Sequence, residues 1–253
     1  MSRFALLGAI VLGGCMSTEP TDAWRDRLDE PESTRSRPAV WQAAGRSVEG
    51  RAIEIQTLGM GPRRVLWIGS IHGNEREGSF ATEALPGAFL AYPGLEQRVT
   101  MTMIRDLDPD GTAIRRRGNA RHVDLNRNFP ASNFHPGRDR GFRPLDQPET
   151  RFVYELIKND APDLVIVCHS SQRGQSFVNY DGPAWRFATR FSRISSYPVV
   201  HSNELDSTPG SLGSWLGHDQ GIPVLTLEFR RGTDPARAWD ETRQAILSTL
   251  AMR

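Results

Sequence analysis

The sequence predicts an α/β fold, a sheet with helices on both faces. Three observations carry it. Strand-like and helix-like segments alternate along the chain, two strand-like runs are apolar throughout, and hydrophobic residues make up 38% of the 253 residues. A chain of that length and apolar content buries a sizeable core and reads as one large domain or two small ones.

Taken in order, Ala52–Leu58 and 64–71 read as strands, the second a continuous apolar run of the kind covered on both faces. Residues 77–90 show helical spacing and good helix formers, and Val99–Ile104 reads as a strand. From 105 to 143 there is no periodicity. A loop of that length in a compact domain is usually functional or disordered. A helix over 148–159, a buried strand over 163–168, a helix over 183–194 and a short strand over 198–200 follow. A helix opening at 210–217, a strand over 224–229 and a closing helix over Pro235–Leu250 complete the chain. Neither internal repeats nor an internal membrane span is expected.

Charge narrows the function. Thirty-one basic and 30 acidic residues leave a formal net charge of +1, and a nucleic-acid binder needs a basic surplus to neutralise phosphates. Lys158 is the sole lysine; the other 30 basic residues are arginines, which we read first as coding bias. Two cysteines, Cys15 and Cys168, cannot build a disulfide framework.

The N-terminus speaks to compartment. Residues 1–14 hold Arg3, an apolar run from Phe4 to Leu12 and then small residues, the pattern of a secretory signal. Leu12-Gly13-Gly14-Cys15 resembles a bacterial lipobox, which implies cleavage before Cys15 and lipidation of that cysteine. Met16 behind it, rather than an aspartate, points to the periplasmic face of the outer membrane. Residues 15–39 are polar, charged and dotted with proline and read as a tether. The folded domain is expected over 40–253.

The candidate chemistry lies at strand ends, where α/β folds bind ligands. The 64–71 strand runs into His72-Gly73-Asn74-Glu75, and the 163–168 strand into His169. Two histidines and a glutamate match the ligand set of a catalytic zinc with an open position. The 224–229 strand carries Glu228 at its end, which either reaches solvent or works as a proton acceptor beside a metal. On the long loop, Arg117, Asn126 and Arg127 are either solvated surface or a clamp for a carboxylate and a carbonyl oxygen.

Together these residues resemble the zinc carboxypeptidases of the M14 family. GRSVEGRAI at 45–53, HGNE at 72–75, RGN at 117–119 followed by VDLNRNF at 123–129, CHS at 168–170 and LTLEF at 225–229 occur in the family's order, and the resemblance runs from about Gly45 to the end. It implies a three-layer α/β/α domain with a mixed, twisted sheet of about eight strands, and one zinc ion per chain on His72, Glu75 and His169. It also implies that Glu228 acts on water, that Arg117 polarises the scissile carbonyl, and that Asn126 and Arg127 hold a terminal carboxylate of the substrate. HGNE, the 144–157 segment and the 208–228 segment look most like members that cut murein peptides between γ-D-glutamate and meso-diaminopimelate.

Two features depart from relatives. The family's covering tyrosine falls at Asp206, with no tyrosine between Tyr197 and Glu228, and His122 stands where relatives often have glycine. The side-chain pocket is expected from the 201–215 and 130–145 loops. His135, His201 and His218 read as surface or structural, and Cys168 as a small hydrophobe. Two other readings share some of the motifs: an acylase of the succinylglutamate desuccinylase and aspartoacylase type, and a non-catalytic lipid-anchored wall-binding protein. Those acylases usually append a β-rich domain where only 25 residues follow Glu228 here, and a non-catalytic relative is expected to have lost a ligand or base.

Overall fold

In the computed structural model, which describes residues 40–205 and 208–252, eight strands form one mixed sheet. They are β1 (Gln42–Arg46), β2 (Ala52–Leu58), β3 (Arg63–Ile68), β4 (Val99–Ile104), β5 (Leu164–Ser171), β6 (Phe177–Asp181), β7 (Val199–His201) and β8 (Val224–Arg230). Their order across the sheet is β1-β2-β4-β3-β5-β8-β6-β7. The central four, β4, β3, β5 and β8, run parallel. β2 joins one side antiparallel through β4, and β6 joins the other antiparallel through β8.

Strand alternation divides the core in two. Val65, Trp67, Leu164, Ile166, Cys168, Leu225, Leu227 and Phe229 face one layer. That layer is built by α1 (Ser79–Ala91), α4 (Trp185–Ser195) and α5 (Pro235–Leu250), with α5 packed against both others. Leu66, Ile68, Val165, Val167 and Val224 face the opposite layer, formed by α3 (Pro148–Asp160) together with Phe129, Leu212, Trp215 and Leu216. The layers are therefore α/β/α, with loop residues completing the second.

Helix ends follow local chemistry. α5 starts where Pro235 follows Asp234, whose carboxylate accepts from the Ala236 and Arg237 N–H groups. α3 likewise starts at a proline, with Glu149 in its first turn.

Several boundaries differ from expectation. β3 ends at Ile68, so His72 stands in a turn four residues beyond it, whereas β5 runs on through His169 to Ser171. The 105–143 stretch contains a short helix, α2 (Pro109–Ile114), capped by Asp108 accepting from the Gly111 N–H. β1 and β6 have no counterpart in the sequence reading. The opening helix at 210–217 is a π-helical segment, Gly213–Asp219. Cys15, the 1–14 signal and the whole 15–39 tether, like Asp206, lie outside the described residues; among those described, no helix is long and apolar enough to cross a membrane.

Candidate active site

Three neighbouring parallel strands deliver the candidate residues to one place. Since β3, β5 and β8 are adjacent, the turn after β3 lies beside His169 on β5 and Glu228 on β8. His169 and Glu228 are paired in the parallel register. Each continues the alternate set that faces the α3 layer, Val165 and Val167 in one case and Val224 in the other. Gly73 lets the His72 turn close against α2, because a Cβ there would stand 2.0 Å from the Gly111 carbonyl carbon.

His72, Glu75 and His169 each offer a ligand atom, and those atoms lie within 4.8 Å of one another, all three residues buried. His72 Nδ1 is 3.1 Å from Glu75 Oε1, and His169 Nδ1 is 3.0 Å from Glu75 Oε2. His72 Nδ1 has no aligned hydrogen-bond partner despite that proximity. A buried nitrogen aimed at a carboxylate without bonding it is what a shared cation between them would explain, and His₂Glu is a zinc donor set. The residues fit a zinc ion.

The outer partners fit as well. His72 Nε2 lies 2.9 Å from Asp124 Oδ1, the carboxylate behind a ligating histidine that fixes its tautomer. Arg117 donates from Nε to Asp124 Oδ2 at 2.8 Å and from Nη1 to Glu75 Oε1 at 2.9 Å. The Ser170 N–H donates to Glu75 Oε2 at 2.9 Å.

Protonation follows these contacts. Burial opposes charge on His72, but the Glu75 and Asp124 carboxylates outweigh it and raise its pKa to about 9. Burial likewise opposes ionisation of Glu75, yet the His72 and His169 rings hold its carboxyl well below the usual range. Glu228 moves the other way. Burial raises its pKa, with His169 opposing and Glu75 reinforcing.

A cleft of about 160 Å³ opens onto this cluster, lined by Glu75, Arg117, Asn126, Arg127, His169 and Glu228. The structure thus brings six of the seven sequence candidates to one cleft, with His72 buried behind Glu75. Asn126 is held by accepting from the Leu212 N–H at 2.9 Å, while its amide nitrogen is 3.3 Å from His169 Nε2. Arg127 Nη1 donates to the Asn126 carbonyl at 2.7 Å.

The far wall differs from expectation. Ser202, Leu205, Thr208, Ser211 and Gly213 represent the 201–215 segment, but none of the described lining residues comes from 130–145. β6 and β8 supply Asn179, Asp181 and Thr226 instead. The 130–145 loop is held instead by Asn128, whose amide donates to the Arg140 and Arg143 carbonyls and to Asp146, and it reaches the 201–215 segment through Asn133, which accepts from the Gly210 N–H and donates to Ser214. Asp124, two residues before Asn126, is a site residue that the sequence reading does not single out, because His72, which it supports, lies 52 residues away in the chain. His122 has φ 62°, which accounts for glycine being the easier residue there. Of the set-aside histidines, His218 Nε2 is 3.3 Å from Asp181 Oδ1, and His201 stacks edge-on against Tyr180.

This is the architecture of a hydrolase with a candidate metal site at its strand ends. Residues 23–204 match the Peptidase_M14 family, described as zinc carboxypeptidase, and the chain belongs to that family of hydrolases. It is 31% identical over 161 residues to murein peptide amidase A of Escherichia coli (strain K12), covering 57% of this chain and 62% of that protein. The crystal structure of murein-tripeptide amidase MpaA from Escherichia coli O157 superposes with a TM-score of 0.66 at 24% identity, covering 88% of this chain and 97% of that one. Carboxypeptidase A from Helicoverpa armigera gives a TM-score of 0.71 at 17% identity, covering 84% of this chain and 69% of that one. Both structural likenesses speak to the fold.

Proposed function

We propose that the protein is a zinc-dependent peptidase that cleaves an amide bond next to a free carboxylate, with murein peptides cut between γ-D-glutamate and meso-diaminopimelate as its substrate class. One observation carries the proposal. Both histidine Nδ1 atoms converge on the Glu75 carboxylate at the mouth of a cleft that also contains Arg117, Asn126, Arg127 and Glu228.

His72, Glu75 and His169 would hold one zinc ion. Bound there, zinc supplies Lewis acidity toward a water molecule and toward the scissile carbonyl. Glu228, whose pKa burial raises toward a general base's working range, takes a proton from the water and delivers it to the leaving amine. Arg117 is fixed by Asp124 and Glu75 with its guanidinium facing the cleft, where it donates to the carbonyl oxygen as negative charge builds. Asn126 and Arg127 hold the substrate's terminal carboxylate and so set which bond lies at Glu228.

The relative named above as a murein peptide amidase supports the substrate class. The sequence pattern around Cys15 supports an exported, lipid-anchored enzyme on the periplasmic face of the outer membrane. Palmitate labelling of the expressed protein, abolished by Cys15→Ala, checks that anchoring.

A mixed incubation tests the activity by mass spectrometry. It contains L-Ala-γ-D-Glu-meso-diaminopimelate, an ordinary C-terminal dipeptide and N-succinylglutamate. Selective release of diaminopimelate is expected. Release of succinate would establish the acylase instead, and intact substrates with zinc-loaded protein would leave a wall-binding role.

A further inference from the structure

Beside the donor set stands an arginine that the mechanism above does not use. Arg231 lies in the turn after β8, three residues past Glu228, where its N–H donates to the Ser171 carbonyl. Its guanidinium reaches back to the site. Nη2 is 3.4 Å from Glu75 Oε1, and Nη1 is 3.4 Å from the Asn74 carbonyl. Charge-assisted N–H···O bonds run at about 2.7–2.9 Å, and Arg117 already occupies the same Glu75 oxygen at 2.9 Å. Arg231 Nε is buried without a partner. A planar group with five donors is thus held beside a metal ligand by long contacts only, with its side chain 31% exposed.

Arg231 also lines a separate hollow of about 340 Å³, together with Ser176, Arg230, Asp234, Arg237 and Glu241. Both acids there already hold hydrogen bonds. Asp234 caps α5, and Glu241 accepts from Arg237 and from the Tyr197 hydroxyl. Arg230, Arg231 and Arg237 outnumber Asp234 and Glu241 in the lining, which leaves the hollow with a net positive charge. Arg231 does not line the cleft of Asn126 and Arg127. With the leaving residue in that cleft and the scissile carbonyl, which belongs to the acyl residue, at Arg117, the acyl residue lies next to Glu75 Oε1, the oxygen that Arg117 and Arg231 both approach.

We propose that Arg231 binds a free carboxylate on the acyl-side residue of the cleaved amide and so selects acidic acyl groups. The inference rests on the function proposed above and deepens it. An acyl residue joined through its γ-carboxyl keeps its α-carboxylate free, and a guanidinium fork takes such a group bidentately. A carboxamide at the same place brings no charge and a single acceptor oxygen.

Two peptides that differ only there provide the test: L-Ala-γ-D-Glu-meso-diaminopimelate and its counterpart with D-isoglutamine in place of D-glutamate. The native enzyme is expected to favour the free carboxylate by about tenfold to a hundredfold in kcat/KM. In Arg231→Gln that ratio should fall to within about threefold of one, and Arg231→Lys, which keeps charge without the fork, should fall between. The ratio is insensitive to how much of a preparation is folded or zinc-loaded, since both peptides meet the same enzyme. Equal native rates, or an unchanged ratio in Arg231→Gln, would overturn the role of Arg231 and leave the proposed function standing. Native enzyme that hydrolyses neither peptide would overturn the proposed function, and this inference with it.

Discussion

Glu228 and His169 face each other across β8 and β5, yet their removal should have opposite signatures. His169 Nδ1 lies at the Glu75 carboxylate as a candidate ligand, whereas Glu228 lines the cleft without belonging to the donor cluster. Glu228→Gln should keep about one equivalent of zinc by metal analysis and lose turnover by about 10²–10⁴-fold; a near-normal rate would remove it from the proton transfer. His169→Ala and His72→Ala should lose zinc and activity together. Asp124 gives a graded case, because it touches His72 and Arg117 but is not in the donor cluster. Asp124→Asn should weaken zinc binding by about 10–100-fold in a chelator competition, and an unchanged affinity would show that its contact with His72 does not tune the metal. The candidate donors and base were legible in the sequence because HGNE, CHS and LTLEF each place one of them in or just beyond a recognisable strand. Asp124, Asp181 and Arg231 were not, since the site groups they meet, His72, His218 and Glu75, lie far from them in the chain.

The loop carrying the candidate site residues owes its shape to polar groups that helix and strand periodicity cannot reveal. Asn119, Asn128, Gln147, Glu149 and Thr150 are buried between the loop and the start of α3. Asn119 accepts from the Arg121 and Val123 N–H groups and donates to Gln147 and Glu149. Asn128 accepts from the Thr150 hydroxyl and donates to Asp146. Arg117, Asp124, Asn126 and Arg127 hang on this frame, so the unperiodic 105–143 stretch is ordered by side chains rather than by regular backbone pairing. Asn128→Ala strands several buried groups at once and should cost about 2–3 kcal/mol in urea denaturation; a loss below about 0.5 kcal/mol would show that the frame is redundant. The same physics explains which elements were legible. β3, β5 and β8 announce themselves by apolar runs, and α5 by Pro235 and its amphipathic face. β1 is exposed over most of its length, and the Asn179 and Asp181 of β6 turn to the cleft, so neither presents an apolar strand pattern. β5 outran its expected end because its last residues, His169 to Ser171, are polar and yet buried against the site.

For the molecule as a whole, pH acts through two carboxyls, half-buried Asp146 and buried Asp108, that the fold pushes in opposite directions. Asp146 is held below the usual range; burial opposes this, and Gln147 with the Phe142 and Arg143 N–H groups prevails. Its contribution is present above the ordinary carboxylate range and is lost as pH falls through its lowered value. Asp108 does the reverse. It is fully buried at the N-terminus of α2, its Oδ2 has no partner, and burial, reinforced by Asp106 and Glu149, raises its pKa to about 7, against the Gly111 N–H and the His72 charge. Between about pH 4 and pH 7 the folded protein keeps a proton on Asp108 that the unfolded chain has released. The native state then binds more protons than the unfolded one, so stability falls as pH rises across that window and levels off above it. The full span is about 4 kcal/mol for a shift of this size. Asp108→Asn keeps a side-chain oxygen for the Gly111 N–H and removes the titration. Urea denaturation of both proteins from pH 4.5 to pH 8 should therefore show the variant gaining on the native protein with rising pH, with the difference flat above pH 7. Parallel stability curves across the range would mean that Asp108 ionises in the fold as readily as in the unfolded chain.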